Sequence, residues 1–222
     1  MPTWGRWVLA VLLAVIAVGG PAAYYRTVYE NYRRFRAVTP DRFYRSGQLT
    51  ALGLEQVILQ HRIKTVINLQ EENRDPYMPV VWAGPSKVRE SELCDRLGVK
   101  YFALWGGEIV PEPQASAGAR PKVIDEYLRI LDDPANYPVL LHCKAGLHRT
   151  GLLTAIYRME YEKRSVQAAT QELRANGFGT FAATTGNVYL VQYLDRYKVG
   201  IRNPVATPRP GVAHLDPNEV RK

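Results

Sequence analysis

A chain of 222 residues, 46% hydrophobic and 23% charged, has the size and balance of one globular domain with short extensions, which excludes a disordered chain, a collagen and a multi-span membrane protein. Two cysteines, Cys94 and Cys143, exclude a disulfide framework and a cysteine-rich zinc module. The formal charge of +8 is divided into +4 in residues 1–36, +3 in 198–222 and +1 in the body between, so no basic face for nucleic acid is expected.

From Trp7 to Tyr25 the chain runs 19 residues without a charged side chain. At about 1.5 Å per residue, a helix of that length nearly crosses a hydrocarbon layer of about 30 Å. Tyr24 and Tyr25 stand where interfacial aromatics belong, and Arg26, Arg33, Arg34 and Arg36 follow. Residues 1–36 therefore read as a single-pass anchor with a basic flank. The positive-inside rule places the residues after it in the cytoplasm. The alternative is a signal peptide: Arg6, the apolar stretch Trp7–Val18 and the small residues Gly19, Gly20, Ala22 and Ala23 fit a cleaved and exported chain as well.

Residues 37–200 read as one domain of alternating strands and helices. Phe43–Gly47 is a short strand ending at a glycine turn. Leu52, Leu54, Val57 and Ile58 give helical spacing within Thr50–Arg62. The β-branched run Lys64–Leu69 is a buried strand, Ser86–Leu97 a helix closed by Gly98, and Val99–Leu104 a further strand. A loop over Gly106–Gly118 leads to a helix from Pro121 to Leu131. Val139–His142 is apolar without alternation and hence buried on both faces. Helices follow at about Thr150–Lys163, from the Ser165 cap to Asn176, and over Thr185–Tyr197. The order implies an α/β fold, a mostly parallel central sheet flanked by helices, with the apolar helix at its N-terminus. Residues 201–222, with Pro204, Pro208, Pro210 and Pro217, read as a disordered tail.

The segment His142-Cys143-Lys144-Ala145-Gly146-Leu147-His148-Arg149-Thr150-Gly151 joins a buried strand to a helix. The end of such a strand, facing a helix N-terminus, is an anion site in α/β folds. Five residues between Cys143 and Arg149 suffice to curl a loop whose N–H groups point inward, and Gly146 permits the turn. Arg149 offers a planar fork for two phosphate oxygens. A helix N-terminus and a guanidinium both favour thiolate over thiol, and a thiolate under an oxyanion cradle is a nucleophile toward phosphorus. Cys94, inside a helix, reads as packing.

HCKAGLHRTG resembles the Cys-x5-Arg-Ser/Thr loop of the protein tyrosine phosphatase superfamily in its dual-specificity branch. FYRSGQL and VINLQEE are similar to the atypical members, bacterial and plant or fungal, and the resemblance covers about Arg42 to Tyr197. It implies a phosphatase acting on phosphotyrosine, phosphoserine or phosphothreonine, or on a phosphoinositide or inositol phosphate. In the roles it implies, Cys143 attacks phosphorus and Arg149 binds the phosphoryl oxygens with the N–H groups of Lys144, Ala145, Gly146, Leu147 and His148. Thr150 supports the thiolate, and His142 orients the loop from behind. No cofactor or metal is implied, because the loop itself supplies the positive potential. The superfamily carries an aspartic general acid about thirty residues before the nucleophile; here that window holds no Asp. Glu108 and Glu112, 35 and 31 residues before Cys143, are the candidate acids. The missing Asp leaves a second class open, a phosphate-recognition module of the same fold without turnover. Lys144 and His148 add positive charge beyond Arg149 and so suggest a substrate with further phosphates.

Overall fold

Runs such as Val66-Ile67 and Leu140-Leu141 offer apolar side chains to both sides of a strand, so their sheet must be covered on both faces. The computed structural model, which describes residues 3–70, 77–80, 84–85, 87–104, 120–178, 188–205 and 210–211, has that arrangement. Its main sheet is built from β1 (Arg36–Thr39), β2 (Phe43–Ser46), β3 (Thr65–Asn68), β6 (Lys100–Ala103) and β7 (Val139–His142). The strand order is β1-β2-β7-β3-β6; β2, β7, β3 and β6 are parallel, and the edge strand β1 is antiparallel to β2. A small ribbon pairs β4 (Pro79–Val80) with β5 (Gly84–Pro85).

Successive strand residues serve opposite cores, as the pleat requires. Tyr44, Val66, Tyr101 and Leu140 pack with Leu54, Val57 and Ile58 of α3 (Ala51–His61) and Leu93 of α4 (Glu90–Arg96). Phe43, Ile67, Phe102 and Leu141 pack on the other face with Ile124 and Leu128 of α5 (Lys122–Asp132), Leu152 and Ile156 of α6 (His148–Tyr161), Leu173 of α7 (Val166–Ala175) and Leu190 of α8 (Val188–Arg196). The expected α/β architecture is thus present. Strand β1 and the ribbon were not foreseen: β1 buries only Val38, and an edge strand leaves no apolar run to read.

The N-terminal segment is helical from Thr3 to Tyr32, as α1 (Thr3–Ala14), a π-turn (Val15–Gly19) and α2 (Gly20–Tyr32). Pro21 lacks an N–H and crowds the preceding turn, and the wider π-turn upstream accommodates it. Thr3–Tyr25, 23 residues with a mean hydropathy of 2.1 and none of them buried, is long and apolar enough to cross a membrane. Trp4 and Trp7 stand exposed at one end, Tyr24 and Tyr25 at the other. The far end of α2 is docked on the domain. The Asn31 carbonyl occupies the space a side chain at residue 53 would need, so α3 meets it through Gly53, and the Thr50 hydroxyl donates to Asn31 Oδ1 at 2.6 Å.

The first residues of the Pro-rich tail are bonded to the domain. Arg202 donates to Glu160 Oε2 at 3.0 Å and to Asp132 Oδ2 at 2.7 Å, and Asn203 Nδ2 donates to Asp125 Oδ2 at 3.0 Å. Glu160 is buried on α6, where Tyr197 OH and Gly200 N–H also donate to it. Burial pushes the Asp132 carboxyl up, but hydrogen bonds from Arg202 and Tyr161 outweigh it and hold the group below its ordinary range. Replacing Arg202 by Ala leaves Glu160 with neutral donors alone. The expected loss is about 2 kcal/mol in urea unfolding of the full chain in detergent at pH 7. Because a depressed carboxylate contributes its stability above its unfolded range and loses it on acidification, the gap between variant and wild type narrows below about pH 4.

Candidate active site

Strand β7 delivers the loop to the carboxyl edge of the sheet, where His142 is in register with Ser46 of β2 on one side and Asn68 of β3 on the other. Residues 143–147 then turn into the first turn of α6 at His148. The turn depends on Gly146, whose φ of +70° is left-handed. A Cβ there would stand 2.5 Å from Gly47 N and 2.7 Å from Ser46 C and O, backbone that cannot yield. Beneath the helix, Phe43 and Tyr157 stack with centroids 4.1 Å apart, fixing α6 against β2.

Three successive loop carbonyls are held by donors from elsewhere in the chain. Gln48 N–H donates to Lys144 O at 3.2 Å, Arg34 Nη1 to Ala145 O at 2.9 Å, and Arg45 Nη2 to Gly146 O at 2.7 Å. The loop peptides are trans, so each N–H is antiparallel to the carbonyl of its own plane. The N–H groups of Ala145, Gly146 and Leu147 therefore point away from those three donors, to the opposite side of the loop. Together with the N–H groups at the start of α6 they can receive a tetrahedral oxyanion.

Arg45 lies beneath the loop with 1% of its surface exposed. Burial lowers its pKa to about 10, with repulsion from Arg36 adding to the effect and Cys143 opposing it, so the guanidinium is still cationic at neutral pH. Behind the loop, His142 Nε2 stands 2.8 Å from Glu90 Oε1, while Asn68 Nδ2 donates to Glu90 Oε2 at 3.0 Å and to Tyr101 OH at 2.9 Å. All four side chains are buried. His142 thus lies buried behind the loop, against Glu90.

Cys143 is buried at the start of the loop. Thr150 is wholly buried, and its hydroxyl has no hydrogen-bond partner among the described residues. Arg149 is exposed and donates through Nη1 to the carbonyl of Leu69. Lys144 is exposed, and Ala145 and Leu147 complete the loop wall. His148 departs from the expected added cation: burial and the neighbouring Arg149 lower its pKa, so the ring is neutral at pH 7. It meets the ring of Phe178 edge-on at 5.7 Å. Glu108 and Glu112 lie outside the described residues. Cys94 packs in the core on the opposite face of the sheet from Cys143, and neither is in a disulfide.

Sequence reading missed Arg34, Arg45, Asn68 and Glu90. Arg45 did leave a signal, an arginine in a strand that is otherwise buried. Asn68 and Glu90 left none, because a polar residue ending a strand or opening a helix is ordinarily solvated.

The sequence pattern described as "Tyrosine phosphatase family" matches residues 31–214. The "Dual specificity protein phosphatase TpbA" of Pseudomonas aeruginosa is 28% identical over 187 residues, covering 79% of this chain and 74% of that protein. The "Inositol diphosphatase DSP4" of Arabidopsis thaliana is 54% identical over 67 residues, 30% of this chain; the chain spans only 32% of that protein's length. Among solved structures, the core catalytic domain of the PP-IP phosphatase SIW14 from S. cerevisiae has the same fold, with a TM-score of 0.51 at 22% identity over 74% of this chain and 85% of that one. With a match that takes in the sheet, the loop and every helix after α2, the chain belongs to the tyrosine phosphatase family.

Proposed function

We propose that the chain is a cysteine-dependent phosphatase that hydrolyses phosphomonoesters through a phosphocysteine intermediate. The observation that carries the reading is the outward fastening of the Lys144, Ala145 and Gly146 carbonyls, which turns the next three N–H groups to the other side of the loop, where a phosphoryl group would sit. In the first step the Cys143 thiolate attacks phosphorus in line, the S–P bond forms and the ester P–O bond breaks. The leaving oxygen takes a proton from Glu108 or Glu112; a phosphoanhydride, with its better leaving group, dispenses with that acid. Arg149 and the loop amides hold the equatorial oxygens as charge builds on them. In the second step water attacks phosphorus and gives its proton to the carboxylate that served as the acid, the P–S bond breaks, and Thr150, whose buried hydroxyl has no other partner among the described residues, donates to the departing thiolate.

The substrates proposed are phosphorylated proteins and, in preference to them, polyphosphorylated inositols or inositol lipids. Lys144 supports the preference as an exposed basic side chain within the loop. DSP4 is described as an inositol diphosphatase and TpbA as a dual specificity protein phosphatase, so the relatives lean both ways. Residues 1–36 would anchor the chain in a membrane as a single pass, with the catalytic domain, residues 37–200, on the cytoplasmic face.

Three measurements on the full chain test these readings. Cys143→Ser is expected to abolish turnover of an aryl phosphate while oxyanion binding persists. Arg149→Lys loses at least about 10²-fold, since an ammonium cannot replace a bidentate fork. In the same series, Glu108→Gln or Glu112→Gln costs about 10²-fold on an alkyl phosphate and little on an aryl one. Oxyanion binding without any wild-type turnover would make the chain a recognition module instead. Second, Lys144→Ala is expected to lower kcat/KM on an inositol polyphosphate by about tenfold and on a phosphotyrosine peptide much less. A peptide preferred by the wild type removes the inositol reading. Third, the chain should stay in the pellet under alkaline carbonate; soluble recovery at reduced mass would mean a cleaved signal and an exported enzyme.

A further inference from the structure

Of the three clamps on the loop carbonyls, two come from β2 and the residues just after it: Arg45 and the Gln48 N–H. The third, Arg34, comes from the residues that leave the N-terminal helix. We infer that Arg34 is a positioning residue that latches the phosphate loop to the end of that helix. The inference rests on the reading that the loop binds phosphoryl oxygens.

The latch is physically continuous. Tyr25, the last residue of the apolar segment, stacks on Tyr29 with centroids 5.0 Å apart and planes 10° from parallel. The Arg34 guanidinium lies over the Tyr29 ring, 5.6 Å from its centroid, and donates to Ala145 O at 2.9 Å. One residue earlier, Arg33 O accepts from Gly47 N–H at 2.7 Å, beside the point where Gly146 crosses Gly47. Tyr32 OH donates to Gln56 of α3 at 2.9 Å. Arg34 itself has a φ of +54°, in the left-handed region that a long side chain disfavours. Such a conformation persists only where the surroundings over-determine it.

The consequence for the loop follows from Gly146. A peptide plane turns by opposite changes in ψ of the residue before it and φ of the residue after it. At Ala145–Gly146 the second of these is a glycine, which tolerates either sign of φ. Without a donor on Ala145 O, that plane is the one most able to flip. A flip would turn the Gly146 N–H away from the phosphoryl oxygens and set a carbonyl oxygen against them. Arg34 holds the plane in the receptive orientation, and it does so from the helix that carries the apolar segment.

The test uses the full chain in detergent micelles with three forms: wild type, Arg34→Gly and Arg34→Lys. Tungstate, an unreactive tetrahedral oxyanion, is titrated by calorimetry, turnover of an aryl phosphate is measured, and the thermal unfolding midpoint is recorded. Loss of one charge-assisted hydrogen bond predicts about tenfold weaker tungstate binding for Arg34→Gly and a similar fall in kcat/KM. Glycine accepts the left-handed backbone, so the unfolding midpoint is expected to stay level or rise. Arg34→Lys, which keeps an N–H donor, is expected within about threefold of wild type. Tungstate affinity in Arg34→Gly equal to wild type overturns the latch. Equal weakness in Arg34→Gly and Arg34→Lys with lowered midpoints overturns it too, since that marks a merely structural contact. If the wild type binds tungstate without turnover, the phosphatase reading fails and the binding comparison still judges the latch. If the wild type binds no tungstate, the cradle and the latch fall together.

Discussion

A planar peptide cannot turn its carbonyl one way without turning its N–H the other. The whole candidate site depends on that constraint at three consecutive planes. Lys144, Ala145 and Gly146 give their carbonyls to donors on the outer side of the loop, and the N–H groups of the next residues are thereby committed to the inner side. An amide array fixed before any ligand arrives costs little reorganisation when charge develops in it. The rest of the fold places the donors. The strand order sets β2 beside β7 so that Arg45 reaches under Gly146, and the turn after β2 sets Gln48 N–H against Lys144 O.

Placing a guanidinium under the loop has an energetic cost that the surroundings only partly offset. Arg45 is buried, its Nε has no hydrogen-bond partner among the described residues, and burial lowers its pKa to about 10. An unsatisfied buried donor of this kind costs about 1–3 kcal/mol. Its field compensates at the site, because a cation below the loop attracts negative charge on whatever the loop holds. Glu90, Asn68 and Tyr101 form the counterpart behind β7, where a buried carboxylate with its own donors sits against His142. The loop is thus braced by a cation beneath and an acid-centred network behind.

The N-terminal helix is joined to this arrangement and does not simply precede it. Its last turn packs on α3 through Gly53, its exit residues bond to Gly47 and Ala145, and the family match itself begins at residue 31. An apolar helix free to move as a separate body would need a loose connection; here the connection is made of hydrogen bonds to the loop. The tail is held in a comparable way at the far side, where Arg202 bridges Asp132 and Glu160 and keeps α6 tied to α5.

What the sequence determined by itself was everything that spacing along the chain can encode. Cys143 and Arg149 share one short loop, so their association needs no knowledge of the fold. The apolar runs at Val66-Ile67 and Leu140-Leu141 required a sheet covered on both faces, and the charge-free run after Arg6 required an apolar helix. The tertiary structure decided which distant residues hold the loop. Arg45 is 101 residues from Gly146 and Arg34 is 111 from Ala145, and both contacts exist only because β2 and β7 are neighbours and the end of α2 folds back over them. Periodicity reports which face of an element is apolar, but it carries no record of which element lies alongside. For that reason Arg34 read as one charge in a basic flank, Arg45 as one residue of a short strand, and Glu90 as one residue of a helix. His148 likewise read as a cation until its burial beside Arg149 was known.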